Sequence, residues 1–195
     1  MRSPARAATA VAAVLLATLA ACESEGGGEP KPSASTPTTV ESTPLSSEPA
    51  DGNAVSNDDF SFSVPDGWEE SETRAVSLAV DVEDSDGFPD NINVVSDDTF
   101  LDLEGADLED AAEDILGDAS ATRITTHEAV EIDGEEAVHT SAYFELGTPK
   151  YRAEQYVVSH DDKGFVITLS FSPDVPAAER RDISTSILTT WTWES

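Results

Sequence analysis

The chain has 195 residues, with 40 acidic against 10 basic, for a formal charge of −30. A surface of that sign repels nucleic-acid phosphates, which excludes nucleic-acid binding as a function class, and it repels anionic lipid headgroups too. A single cysteine excludes an intramolecular disulfide, which a domain of this size can do without.

Arg2 and Arg6 form a basic start, and residues 10–21 are apolar and small. That pattern predicts a secretory signal peptide over 1–21. The run falls short of the roughly 20 apolar residues that span a bilayer. It ends in Leu19-Ala20-Ala21-Cys22, which resembles a bacterial lipobox. The resemblance implies that Cys22 becomes the new N-terminus, carries a diacylglycerol on its thiol, and holds the protein to the outer face of the cell membrane. The remaining 174 of 195 residues then carry all 40 acids against 8 bases, since Arg2 and Arg6 are lost, a formal charge of −32.

From 22 to 57 the composition shifts to Gly, Pro, Ser, Thr and Glu, with Val40, Leu45 and Val55 nearly the only large apolar residues. So little apolar surface cannot offset the entropy of ordering, and the reading is a disordered tether. Some 35 flexible residues have a typical end-to-end distance of roughly 30 Å. Stretched fully, they reach roughly 120 Å. The Ser/Thr/Pro content also suits an O-glycosylated stalk.

Periodicity returns at residue 58 and predicts one domain over 58–195. Phe60, Phe62 and Val64 alternate with serines, as a half-buried strand does, and Pro65-Asp66-Gly67 turns the chain into Trp68. Strands are predicted over 77–82 and 91–95, joined by an acidic loop over 83–90. Leu108, Ala111, Ala112, Ile115 and Leu116 make one helical face over 107–116, with Asp107 as N-cap and Gly117 as the left-handed C-terminal residue. Strands over 124–132 and 137–146 flank Asp133-Gly134, a hairpin-turn signal. Strands over 151–159 and 165–171 follow, separated by a turn at Asp161-Asp162-Lys163-Gly164. A closing helix over 177–190 presents Ile183, Ile187, Leu188 and Trp191 inward. Strands, helix, four strands, helix read as α+β: an antiparallel β-sheet flanked by helices.

The run from Phe60 to Trp68 (FSFSVPDGW) resembles the opening strand and turn of PsbP-like domains. The strand at 91–95, the helix at 107–116, the Asp133-Gly134 hairpin, the Gln155-Tyr156 strand, the FVITLSF strand and the helix ending at Trp191 fall in the same order. With the lipobox and the Pro/Thr tether, the chain is similar to the LpqN-type lipoproteins of actinobacteria over about 58–193. The resemblance implies a PsbP-like α/β/α sandwich and a non-catalytic, surface-anchored accessory role, associated in some relatives with envelope lipid handling. It supplies no catalytic residues, and the heavy acidity departs from a typical member.

The stretch 82–87 fits a calcium-binding EF-hand poorly: with Gly87 in sixth place, Val82 and Asn93 stand where Asp and Glu are needed. A looser calcium site among Glu83, Asp84, Asp86 and Asp90 is the candidate metal site. His127, His139 and His160 are the only histidines. The first two face each other on hairpin strands, but without HExxH spacing they read as surface residues rather than zinc ligands. No GxSxG elbow exists. Trp68, Tyr143, Tyr151 and Trp193 are the candidate lining of an apolar ligand cleft, whereas Phe165, Phe171 and Trp191 read as core.

No cofactor is implied. The expected function is a lipid-anchored extracytoplasmic binding or accessory module of the actinobacterial cell envelope, its partner an envelope lipid or envelope protein. The alternatives are an envelope hydrolase acting on glycan and a passive, acidic, calcium-binding surface protein.

Overall fold

The structure is a computed structural model that describes residues 43–71, 78–101, 103–145 and 149–194. Leu19, Ala20, Ala21 and Cys22 lie outside the described residues. No helix among the described residues is long and apolar enough to cross a membrane.

The strands are β1 (Thr43–Pro44), β2 (Ala54–Ser56), β3 (Phe60–Ser63), β4 (Trp68–Glu70), β5 (Ala79–Asp81), β6 (Asn91–Ser96), β7 (Thr122–Thr126), β8 (Val130–Ile132), β9 (Glu135–Phe144), β10 (Tyr151–His160), β11 (Lys163–Phe171) and β12 (Thr192–Trp193). The helices are α1 (Gly105–Asp118) and α2 (Ala177–Leu188), with a 3-10 turn at Asp98–Phe100. Among the described residues, nine strands form one sheet in the order β1-β8-β9-β10-β11-β6-β5-β4, with β7 also paired to β9. The pairings are antiparallel except β1 with β8, which is parallel.

Alternation along the central strands sends side chains to two cores. Tyr156, Val158, Phe165 and Ile167 pack with Ile187 and Leu188 of α2. Val138, Val157 and Val166 pack with Leu108 and Ala112 of α1. The helices thus cover opposite faces of the sheet, and the α1 core is the smaller. The domain is largely sheet with two helices, rather than the evenly covered α/β/α sandwich that the resemblance implies.

A second sheet, of three strands, corrects the sequence reading at both ends of the domain. The sequence reading has a single antiparallel sheet and takes the run from Phe60 as a half-buried strand. Instead β3 pairs with β2 on one side and β12 on the other, Phe60 opposite Trp193. Trp191 stacks on Phe60 and Phe62 at centroid distances of 4.6 and 4.9 Å. Each such ring buried contributes on the order of 1.5–3 kcal/mol, enough to draw the two ends of the domain together.

The tether boundary at residue 57 also moves. Thr43–Pro44 adds to the edge of β8, Val55 is 1% exposed, and Leu45 and Ala50 pack against the α2 core. A few apolar side chains and a strand edge are enough to dock a segment whose composition alone reads as unstructured.

Local signals fare better. Asp133 and Gly134 both take positive φ (45° and 89°), the two-residue turn that matches strand twist. The predicted strand over 124–132 is broken at 127–129 into β7 and β8, both of which pair with β9. The α1 helix begins at Gly105, which puts Asp107 in the first turn rather than at the N-cap. Gly117 is helical, and Ser120 takes the left-handed place at φ 65°. There the Ser120 N–H donates to the Gly117 carbonyl and the Ala121 N–H to the Leu116 carbonyl, closing a Schellman motif.

Candidate functional site

The polar heart of the domain lies between β9, β10 and α2. Residues 154, 156 and 158 of β10 share the face that looks at α2, so Glu154 is carried inside with Tyr156 and Val158. On α2, Arg180, Ser184 and Ile187 follow helical spacing and are all buried. Arg180 Nε donates to Glu154 Oε1 at 2.9 Å, and Arg180 Nη1 donates to the Val175 carbonyl at 2.9 Å. His139 Nε2 donates to Glu154 Oε2 at 2.9 Å. Burial pushes the Glu154 carboxyl up, but the hydrogen bond and charge of His139, with Arg180 beside it, outweigh that and hold it below its ordinary range.

His127 sits at the break between β7 and β8. Its ring centroid is 4.4 Å from that of His139, and its Nε2 lies 2.8 Å from Ser141 Oγ. Burial pushes its pKa down, and His139 beside it adds to that, so it is neutral at pH 7. His139 in turn stacks on Tyr156 at 4.4 Å. These histidines were expected on the surface; His139 is 6% exposed and His127 is half-buried. The reason is the α2 helix, which roofs a sheet face that two strands alone would leave open.

A cavity of about 420 Å³ opens over this network. His127 and His139 form part of its wall, with Val130 and Glu128 from the sheet side, Thr43 to Ser46 from the docked N-terminal segment, and Arg181, Asp182 and Thr185 from α2. Imidazole, guanidinium, carboxylate and hydroxyl groups thus share one recess with the apolar side chains of Pro44, Leu45 and Val130. Ser141, although it meets His127, is not among its lining residues. A second cavity of about 340 Å³ is ringed by Asp58, Asp59, His160, Asp161, Asp162 and Glu194, with Lys163 bonded to Asp59.

The structure places the predicted site residues elsewhere. Trp68 is core. Trp193 is core as well, its N–H donating to Asp133 Oδ2 at 2.9 Å and its Nε1 to the Ile132 carbonyl at 3.2 Å. Tyr151 stacks between Phe144 and Phe88, at 4.4 and 5.2 Å. Tyr143 lies under the Arg123 and Arg152 guanidiniums, at 5.1 and 4.7 Å. None of the four lines either of these two cavities.

In the acidic loop, carboxylates cap amides of the loop itself. Asp81 accepts from the Glu83 and Asp84 N–H groups, Asp84 from those of Asp86 and Asp90, and Asp86 from that of Phe88. Asp90 is the buried member, and its Oδ1 accepts from the Ser172 N–H at 2.9 Å. Among the described residues, the group with three metal-ligating atoms within 4.8 Å of one another is His127, His139 and Glu154, not Glu83, Asp84, Asp86 and Asp90.

Asp90 gives this loop a measurable pH signature. Burial, with the charges of Asp84, Asp86 and Asp81, outweighs the Ser172 bond and raises its pKa to about 6. An acid whose folded pKa lies above its unfolded value binds protons preferentially in the native state, so stability falls as pH rises from about 4 to about 6. Asp90→Asn keeps an acceptor for Ser172 and removes the charge. Urea unfolding is expected to show a gain of about 1–2 kcal/mol at pH 8 and a flatter profile over that window. A loss at pH 8 contradicts this.

No protein-family model matches the chain, and no curated protein matches it. Solved structures do. PsbP (CyanoP) of Synechocystis is 16% identical, with 72% of this chain and 91% of that chain covered at a TM-score of 0.50. LpqN of Mycobacterium tuberculosis, described as involved in cell envelope biogenesis, is 17% identical, with coverage of 70% and 83% and a TM-score of 0.49. A Bacteroides thetaiotaomicron protein is 16% identical at a TM-score of 0.44, and this chain spans only 45% of it. The chain shares the PsbP-like fold.

Proposed function

We propose that the chain is a lipid-anchored, extracytoplasmic binding module that holds a polar envelope ligand in the cavity between α2 and the β8–β9 hairpin, without transforming it. The observation that carries this is the cavity itself, about 420 Å³ with His127, His139 and Arg181 on its wall. Imidazole and guanidinium donors in a strongly acidic chain are suited to the phosphate, carboxylate or hydroxyl groups of a lipid head or an envelope glycan.

The anchor reading rests on Leu19-Ala20-Ala21-Cys22 and on the resemblance to LpqN-type lipoproteins. On it, Cys22 fixes one end of the chain to a membrane whose anionic surface the acidic domain avoids. A binding role fits better than glycan hydrolysis because the carboxylate with the raised pKa, Asp90, lines neither cavity, and Ser141 does not reach the recess. A passive calcium-binding role would place function in the acidic loop instead.

Native mass spectrometry of the purified protein after exposure to envelope extract tests the proposal. Retention of a polar lipid or glycan at unchanged mass is the expected result. Recovery of the bare chain, or of a cleaved ligand, overturns it.

A further inference from the structure

The cluster under the cavity has a second chemical capacity. His127, His139 and Glu154 each offer one ligating atom, all within 4.8 Å of one another. Two imidazole nitrogens and one carboxylate oxygen are a ligand set for zinc and its neighbours among divalent transition metals. Calcium and magnesium prefer oxygen alone. We propose that His127, His139 and Glu154 form a zinc-class metal site whose fourth position opens on the cavity.

The surroundings already hold the ligands in place. Glu154 uses Oε1 for Arg180, which leaves Oε2 turned toward His139. His139 is stacked flat on Tyr156, with 12° between the planes. His127 is steadied by Ser141 and stands where β7 breaks from β8. Ligands on a tetrahedral zinc lie about 3.3 Å apart, from metal–ligand bonds of about 2.0–2.1 Å. The His139–Glu154 pair, at 2.9 Å, must spread slightly, and His127 must close in. On metal entry the His139 Nε2 proton shifts to Nδ1 or leaves to solvent, and Glu154 Oε2 exchanges that hydrogen bond for the metal. His127 and His139 both line the cavity, so water or a ligand atom can complete the shell from that side. This site does not depend on the envelope-ligand reading, because its test uses the metal alone.

The test is equilibrium dialysis of the purified protein against zinc, read by elemental mass spectrometry, with cobalt as a spectroscopic substitute. One zinc per chain is expected, with the visible cobalt bands of a low-coordinate nitrogen/oxygen site and no displacement by calcium. His127→Ala, at a half-buried position outside the Glu154–Arg180 pair, should lower zinc affinity at least ~100-fold, since losing even an outer partner of a ligand costs 10–100-fold. Its circular dichroism should be unchanged. His160→Ala should bind as the parent does. Absence of stoichiometric zinc overturns the proposal. So does equal binding by His127→Ala, or an equal loss in His160→Ala.

Discussion

Glu154→Ala is expected to destabilise the domain by about 3–5 kcal/mol, the largest effect of any single truncation at the site. The two charges are almost fully enclosed, with side chains 5% and 9% exposed. Removing the carboxylate leaves the Arg180 guanidinium inside the protein with, among the described residues, the Val175 carbonyl as its hydrogen-bond partner. An uncompensated buried charge costs that much even though the pair itself adds little net stability. Replacing both partners by apolar residues of similar volume, Glu154→Leu with Arg180→Met, should restore most of the loss. Urea unfolding of the two variants measures both. A loss below ~1 kcal/mol for Glu154→Ala would mean that water reaches Arg180.

Gly164→Ala is the second large effect, and its cause is backbone approach rather than charge. A Cβ on Gly164 would lie 2.1 Å from the Asp97 carbonyl oxygen. The Asp97 N–H donates to the Gly164 carbonyl at 2.9 Å, so the chain leaving β6 is held tight against β11. Neither backbone can retreat without breaking that bond and shifting Phe100, which seats the α1 core. Overpacking of this sort costs typically 1–3 kcal/mol, and a clash with backbone belongs at about 3 kcal/mol or above. Thermal unfolding checks it; a variant within ~0.5 kcal/mol of the parent would mean that the β6–β11 junction yields to a methyl group.

The two positions differ in how readable they are from sequence. Glu154 is the lone acid in the strand run Tyr151 to Ser159, and it shares alternation with Tyr156 and Val158. Arg180 stands four residues before Ser184 and seven before Ile187, on the inner stripe of the closing helix. Period and composition together mark both as buried charges, and buried charges seek each other. Their pairing across 26 residues, and the arrival of His139, depend on strand order that no local pattern encodes. Gly164 is harder still. In sequence it continues a turn; only the neighbouring strand exit shows why a side chain is excluded.

The same division runs through the fold. The Asp133-Gly134 hairpin, the α1 face and the FVITLSF strand rest on signals a few residues long, and they form where the pattern puts them. The small sheet depends on Phe60 meeting Trp193 from the other end of the domain, and the parallel docking of Thr43–Pro44 on β8 depends on an available edge. The placement of the four aromatic residues has a related reason. Trp68 and Trp193 bury their rings in the larger core, and the recess is walled instead by side chains from α2, the strand break and the docked N-terminal segment.

The measurement that bears most directly on the binding role compares the parent chain with Arg181→Glu in native mass spectrometry after exposure to envelope extract. Arg181 is a cation of the recess, exposed and outside the buried pair, so its reversal leaves the fold intact. The proposal predicts a retained polar adduct on the parent and at least a ~10-fold smaller bound fraction on the variant, the effect of about 1.4 kcal/mol from a lost charge-assisted contact. A bare parent chain, or equal retention by both proteins, contradicts it.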